Sequence, residues 1–304
     1  LQMKQQFLAG DESLRPNTIT YSAVVNAFAR AGQAENAESL LEEMYADYLD
    51  GNDSAKPDVI AFSTVLDAWS KSESLDAPKR AETMLMRMEQ LHDSGALDTK
   101  PGITSYSSLI NCWAKSGRKD APYAAQKLLL TMKQQYLAGD ESVRPDTITY
   151  STVISAFARA GQAERAEALL EEMYSDYLDG NNSAKPNVIS FSTVLDAWSK
   201  SKSHDAPERA EAMLERMAQL YASGDMDTKP NIISYNSVIN CWAKSNRKDA
   251  PDAAQRLLLQ MKQQFLAGDE SFRPNTITYN TVIGVFARAG HAELAESLLE
   301  EMYS

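Results

Sequence analysis

A basic residue followed by proline recurs along the whole chain at a nearly constant interval. The prolines of these pairs are 41, 44, 44, 41, 44 and 44 residues apart, and most precede asparagine or aspartate. The pairs are Arg15-Pro16, Lys56-Pro57, Lys100-Pro101, Arg144-Pro145, Lys185-Pro186, Lys229-Pro230 and Arg273-Pro274. A period of this length indicates small supersecondary units that cannot bury their apolar faces alone and become stable by stacking on one another.

The repeats are themselves grouped in threes. The order of spacings gives a longer period of 129 residues, and residues 18–58 match residues 147–187 at 33 of 41 positions. This identity indicates recent tandem duplication or deliberate design. Cys112 and Cys241 are also 129 residues apart, which favours small packing residues over a disulfide or a metal site. Because the chain begins at Leu1 and starts and stops inside the pattern, we expect it to be a fragment.

Apolar residues follow helical spacing twice in every repeat. In the first copy, Tyr21, Val25 and Phe28 share one face of a first helix, and Leu41 and Met44 share one face of a second. One helical hairpin cannot cover both faces, so neighbouring hairpins are predicted to stack around a continuous core. A recurring aromatic residue is assigned to that core: Phe28, Trp69, Trp113, Phe157, Trp198, Trp242 and Phe286.

Polar and glycine residues predict where these helices begin and end. A hydroxyl residue is the predicted N-cap of the first helix: Thr20, Ser105, Thr149, Ser190, Ser234 or Thr278. Gly32 predicts the end of that helix in the short repeat. In the longer repeats Asp-Ala-Pro, as at Asp76-Ala77-Pro78, predicts the start of the second helix.

The complete motif resembles the pentatricopeptide repeat family over essentially the whole chain. The residues that carry the resemblance are Thr18-Ile19-Thr20-Tyr21-Ser22, Ala31-Gly32, Ala37, Leu40-Leu41, Glu43-Met44 and Pro57-Asp58. The resemblance implies an all-α fold, a right-handed α-solenoid superhelix of tandem helix-turn-helix repeats. The repeats here are longer than is typical of the family, which predicts a longer second helix and a changed spacing between repeats.

The whole chain, 1–304, is predicted to be a single repeat array. It divides into 1–17 as the end of a preceding repeat, the repeats 18–58, 59–102, 103–146, 147–187, 188–231 and 232–275, and a partial repeat 276–304.

Such repeats imply sequence-specific binding of single-stranded RNA, about one base per repeat, read by two or three side chains. The first set of readers is Ser22, Ser63, Ser107, Ser151, Ser192, Asn236 and Asn280. Their partners close each repeat: Asp58, Gly102, Asp146, Asn187, Asn231 and Asn275. The residues expected to sandwich the bases are Ile19, Ile60, Thr104, Ile148, Ile189, Ile233 and Ile277. By the pairing preferences of the family, the expected target reads guanine, any base, guanine, adenine, adenine, pyrimidine.

The formal net charge of −12 opposes binding to a phosphate chain unless positive charge is concentrated on one surface. One position of every repeat is basic, and these side chains are the predicted phosphate ligands: Arg30, Lys71, Lys115, Arg159, Lys200, Lys244 and Arg288. By helical spacing Ser63, Ser70 and Lys71 are expected on one exposed face, which also carries Asp67. Acidic residues concentrate on the second helix, at Glu42, Glu43, Asp47 and Asp50. A cation in the last turn of a helix is also favoured by the helix dipole alone.

Two other functions are compatible with the pattern. Helical-repeat scaffolds bind proteins or peptides, and a designed array would do only what was intended for it. No catalytic constellation, metal-ligand cluster or cofactor motif is present, so we predict neither an enzyme nor a small-molecule substrate. No apolar run is long enough for a membrane span. By resemblance alone, a mitochondrial or chloroplast location is expected.

Overall fold

The computed structural model describes residues 15–98, 100–225 and 229–302. In these residues the chain forms fourteen α-helices and no β-strand. The helices are α1 Thr18–Arg30, α2 Ala34–Leu49, α3 Val59–Lys71, α4 Ala77–Asp93, α5 Ile103–Lys115, α6 Ala121–Leu137, α7 Thr147–Arg159, α8 Ala163–Leu178, α9 Val188–Lys200, α10 Ala206–Ser223, α11 Ile232–Lys244, α12 Ala250–Leu266, α13 Thr276–Ala289 and α14 Ala292–Glu301. Odd-numbered helices are the first helices of the repeats. Most of the predicted segment 1–17 lies outside the described residues.

The helices are arranged as stacked hairpins in two compact units, residues 1–145 and 146–304. In the first unit α3 packs against its hairpin partner α4 and also against α1, α2 and α5. In the second unit α9 packs in the same way against α10, α7, α8 and α11. An odd helix inside a unit is therefore covered by both neighbouring repeats, as the sequence pattern predicts.

The recurring aromatic residue lies at the centre of this packing. Six of its seven copies are buried, and Phe28 is half-buried. Trp69 donates its indole N–H to Glu38 of the preceding repeat at 2.9 Å, and Trp198 does the same to Glu167 at 3.0 Å. Complete burial of a large apolar side chain contributes about 1.5–3 kcal/mol, and these hydrogen bonds satisfy the indole's one polar group. The prediction that the aromatic residues form the core is confirmed.

The predicted N-caps of the odd helices are wrong by one helical turn. The N-cap is the residue that follows the proline: Asn17, Asp58, Gly102, Asp146, Asn187, Asn231 or Asn275. Asn17 accepts the backbone N–H of Thr20 at 3.0 Å, and Thr20 accepts that of Asn17 at 2.8 Å. These reciprocal bonds make a capping box, so Thr20 and its equivalents lie inside the helix, at its third position.

None of the described helices is both long and apolar enough to cross a membrane.

The two cysteines lie in the same kind of packing contact. Cys112 is 4% exposed and its thiol donates to the Trp69 carbonyl at 3.4 Å, while Cys241 is 3% exposed and donates to the Trp198 carbonyl at 3.4 Å. Burial raises the pKa of each thiol to about 12. Both side chains therefore serve as small packing residues in the odd helices.

We expect Cys112 and Cys241 to react with a thiol-specific reagent at pH 8 at least about a hundredfold more slowly in the native chain than after denaturation, because the thiolate is the reacting form. The measurement is the rate of colour development with a disulfide reagent, with and without urea. Rapid reaction of both thiols in the native chain would contradict tight packing between successive odd helices.

Candidate nucleic-acid interface

The second residue of the odd helices is an exposed isoleucine. Isoleucine is among the residues most often buried in proteins, yet these six side chains are between 61% and 78% exposed. They are Ile19, Ile60, Ile148, Ile189, Ile233 and Ile277. Thr104 holds the same position in α5 and is also exposed. Repeated exposure of one apolar side chain at one helical position indicates a surface suited to cover by a ligand.

The first set of predicted readers lies three residues after these isoleucines, on the same side of the helix. All but one are half-buried, and Asn280 is exposed; the set is Ser22, Ser63, Ser107, Ser151, Ser192, Asn236 and Asn280. Half-burial restricts the orientation of a short polar side chain, and the hydroxyl groups of Ser22 and Ser151 are themselves buried.

The partner residues, which close the repeats, are the N-caps described above. Asp58 accepts the Ala61 backbone N–H at 2.8 Å, and Asn231 accepts that of Ile233 at 2.9 Å. In each asparagine the cap uses Oδ1 and leaves the Nδ2 hydrogens, which can only donate. An aspartate keeps a second carboxylate oxygen, which can only accept. The cap therefore determines which hydrogen-bonding group each closing residue can offer.

Gly102 is the one closing residue without a side chain. A Cβ added to it would lie 3.3 Å from the Ser142 carbonyl oxygen, so a side chain there requires a small shift of the neighbouring turn. The repeat that begins at Val59 thus lacks a side chain at the second of its two predicted reading positions.

An open cavity of about 360 Å³ joins the predicted site residues of three consecutive repeats in the second unit. Its walls include the reader Ser192, its partner Asn231, and the isoleucines Ile189 and Ile233. The predicted phosphate ligands Arg159 and Lys200 line the same cavity. Ser155 and Thr193 also line the cavity, and no feature of the sequence predicted this, although both lie one turn from a predicted residue.

The predicted phosphate ligands are all exposed but have different surroundings. Lys71 and Lys200 form ion pairs with Asp67 and Asp196 of their own helices, both at 2.5 Å. Other cations donate to backbone carbonyl groups: Arg159 to Ser155 at 3.3 Å, Lys244 to Ser199 at 3.1 Å and Arg288 to Ala243 at 2.7 Å. Lys244 and Arg288 thus place a positive charge at the C-terminal end of the preceding odd helix, where the helix dipole favours a cation.

One part of the predicted exposed face is wrong. Ser70 is 3% exposed because the next odd helix covers it, and Asn111 of α5 donates to its hydroxyl at 3.5 Å. Lys71, the next residue, remains on the surface.

Many acidic side chains of the even helices are neutralised by arginines of the following repeat. Arg80 pairs with Glu38 at 3.3 Å, and Arg87 pairs with Glu42. The second unit repeats this arrangement in the pairs Arg209–Glu167, Arg216–Glu171 and Arg256–Glu211. Part of the negative charge of the chain is therefore held in ion pairs between repeats.

The part of the chain that the structure describes contains no group of three or more His, Cys, Asp or Glu side chains placed to hold a metal ion.

The family model for the PPR repeat matches residues 12–45, 141–174 and 270–303. These three segments are pentatricopeptide repeats. The matched segments begin 129 residues apart and correspond to the repeats with the short turn between their two helices. The longer repeats between them form the same helical hairpins. A comparison with curated protein sequences gives no match.

Solved structures of pentatricopeptide repeat proteins have the same fold. A crystal structure of PPR10 in complex with an 18-nt psaJ RNA element superposes with a TM-score of 0.59 and 21% identity. The match covers 99% of this chain and 36% of that one, and a cysteine-substituted PPR10 with the same RNA element gives the same values. A structure of PPR10 from maize covers 95% of this chain and 40% of its own length, with 24% identity and a TM-score of 0.47. The first two likenesses confirm the all-α helical-repeat fold.

We expect Asn187→Ala to lower the free energy of unfolding by about 1 kcal/mol, because alanine cannot cap α9. Asn187 accepts the backbone N–H groups of Ile189 and Ser190, both at 3.0 Å. Asn187→Asp keeps this acceptor and serves as the matched control. Urea unfolding of both variants makes the measurement, and equal stability of the alanine and aspartate variants would contradict the capping role.

Proposed function

We propose that the chain binds single-stranded RNA by sequence, with about one base per repeat within each unit. The observation that carries the proposal is the cavity that joins Ser192 and Asn231 with Ile189, Ile233, Arg159 and Lys200. An aromatic base has apolar faces, a polar edge and an attached phosphate. The cavity offers a matching group to each of these three parts. PPR10, the relative described above, is a protein of the same fold in complex with RNA.

The two isoleucines provide contacts for the faces of the base. Ile189 and Ile233 belong to successive repeats, line one cavity, and are 63% and 61% exposed. A base between them would cover apolar surface at about 25 cal/mol per Å². This contribution is independent of base identity, because every base has two apolar faces.

Ser192 and Asn231 provide contacts for the polar edge. Since the cap takes Oδ1 of Asn231, its amide donates, which suits an acceptor such as adenine N1. A closing aspartate accepts instead, which suits the N–H groups of guanine. Asn236 is longer than the serines and therefore leaves space only for the smaller pyrimidine bases. This chemistry supports the target G-N-G-A-A-Y, where N is any base and Y a pyrimidine.

Positive charge at the same cavity favours the phosphates. Arg159 and Lys200 line it together with Asp196, which pairs with Lys200, so the cavity keeps a net positive charge of one. Glu167 and Glu171 of the even helices are held in ion pairs between repeats. Charges separated by more than about 8–10 Å are largely screened at physiological salt, so local cations dominate the attraction. The proposal assigns the chain a binding role and no catalytic one.

We expect Asn231→Asp to change the preferred base at the fifth target position from adenine to guanine, because aspartate retains the cap but presents an acceptor. The change in preference should be about tenfold or more, since one good base contact is worth about 1–3 kcal/mol. Fluorescence anisotropy with G-N-G-A-A-Y and G-N-G-A-G-Y measures it. Asn187→Asp should act in the same way at the fourth position.

A scrambled RNA and the matching DNA serve as controls for this experiment, and both should bind more weakly than the target. No binding of any RNA at low salt would refute the proposed function. Binding without any change of base preference in either aspartate variant would refute the reading role of the closing residues.

We expect the paired substitution Arg159→Gln and Lys200→Gln to weaken the binding of all RNAs to a similar degree. The slope of log affinity against log salt should become less steep by about 0.7 for each phosphate that the protein no longer neutralises. Arg216→Gln is the matched control, because Arg216 pairs with Glu171 on the even helices. An unchanged slope in the double variant would show that these cations do not bind phosphate.

A further inference from the structure

We infer that Thr278 positions both side chains that read one base, Asn236 and Asn275, and so acts as a third determinant of specificity. The inference rests on the proposed function and extends it to a buried residue that cannot touch RNA itself. Thr278 belongs to the repeat after the one that contains Asn236, and none of its surface is exposed.

The hydroxyl of Thr278 lies between the two readers. It donates to Oδ1 of Asn236 at 2.8 Å and lies 3.1 Å from Oδ1 of Asn275. The backbone determines where the hydroxyl proton points, because the Asn275 N–H donates to the same hydroxyl oxygen at 3.2 Å. The hydroxyl accepts from the backbone and donates its single proton to an amide oxygen.

This arrangement determines which group Asn236 can present. The last torsion of an asparagine side chain has two broad minima, so a free amide can present either its oxygen or its nitrogen to a ligand. With Oδ1 held by Thr278, the Nδ2 hydrogens remain for the base. Asn275 is held in the same sense, since its Oδ1 also caps α13 by accepting the Thr278 backbone N–H at 3.0 Å. Both readers then offer donors, which suits the carbonyl O2 shared by the pyrimidines.

The other repeats show that this contact is separate from the capping box. In the first unit Ser105, 1% exposed, contacts the reader Ser63 with an oxygen–oxygen distance of 2.9 Å. The residue in that position after Ser22 is Ala61, which has no hydroxyl, and the Ser22 hydroxyl is buried without a partner.

Ser190 holds in α9 the position that Thr278 holds in α13, but its hydroxyl makes different contacts. Its hydroxyl completes the capping box with Asn187, donating to the Asn187 carbonyl at 2.8 Å and accepting its N–H at 3.0 Å. It makes no bond to the reader Ser151, whose hydroxyl is buried without a partner. Removal of the Ser190 hydroxyl therefore breaks two bonds to the backbone of Asn187, while the Asn187 side chain still accepts the N–H groups of Ile189 and Ser190.

The test compares Thr278→Val with Thr278→Ser and Ser190→Ala in the full chain. Affinities are measured by anisotropy for G-N-G-A-A-Y RNAs that carry a pyrimidine or a purine at position six, and an adenine or a guanine at position four. Urea unfolding of each variant reports the loss of capping separately.

We expect Thr278→Val to reduce the preference for pyrimidine at position six by about five- to tenfold, the effect of one net hydrogen bond. Its preference at position four should be unchanged. Thr278→Ser should restore the pyrimidine preference because it restores the hydroxyl. Ser190→Ala should lose stability but keep the preference for adenine at position four.

Two outcomes overturn the inference, and they can be told apart. If the unsubstituted chain prefers pyrimidine and Thr278→Val keeps the full preference, the positioning role is wrong and the proposed function stands. If the unsubstituted chain shows no preference at position six, this pair does not read a base, and the positioning role fails with it.

Discussion

The junction of proline, capping residue and odd helix is the local interaction on which the rest of the structure depends. The residue after the proline has an extended backbone, and in every copy except Gly102 its side chain accepts N–H groups of the first helical turn. The junction sets the first residue of each odd helix, and with it the side of the helix that carries the second and fifth residues. The exposed isoleucines and half-buried readers occupy the same places in successive repeats because every odd helix starts at the same residue of its repeat.

The length of the odd helices preserves this arrangement while the repeats vary. Six odd helices have 13 residues, although their repeats contain 41 or 44. The additional residues lie in the loops and in the even helices, which range from 16 to 18 residues in the six full repeats. Insertions are tolerated in these places because they do not alter the helix that carries the predicted readers.

Charge is divided between the two kinds of helix. Glutamates of the even helices pair with arginines of the following repeat, while cations at the ends of odd helices lie beside the readers or cap the preceding helix. Each exposed pair contributes little to stability, about 0–1 kcal/mol, so its larger effect is on the electrostatic field. An acidic chain can in this way keep local positive charge where a phosphate would lie.

The sequence by itself determined the repeated helical hairpin, the aromatic core and the candidate reading positions, because these depend on periodicity and on local preferences of proline, glycine and asparagine. It misplaced the N-caps at Thr20 and its equivalents, since threonine and asparagine both cap helices and only the backbone shows which one does. Only the tertiary structure decided the contacts between repeats. Lys71 and Lys244 occupy equivalent positions, yet one pairs with Asp67 and the other reaches the Ser199 carbonyl. Ser190 and Thr278 are equivalent too, but only the Thr278 hydroxyl donates to a predicted reader on the preceding odd helix. Such differences depend on distances of a few tenths of an ångström between residues some forty positions apart, which no local pattern in the sequence records.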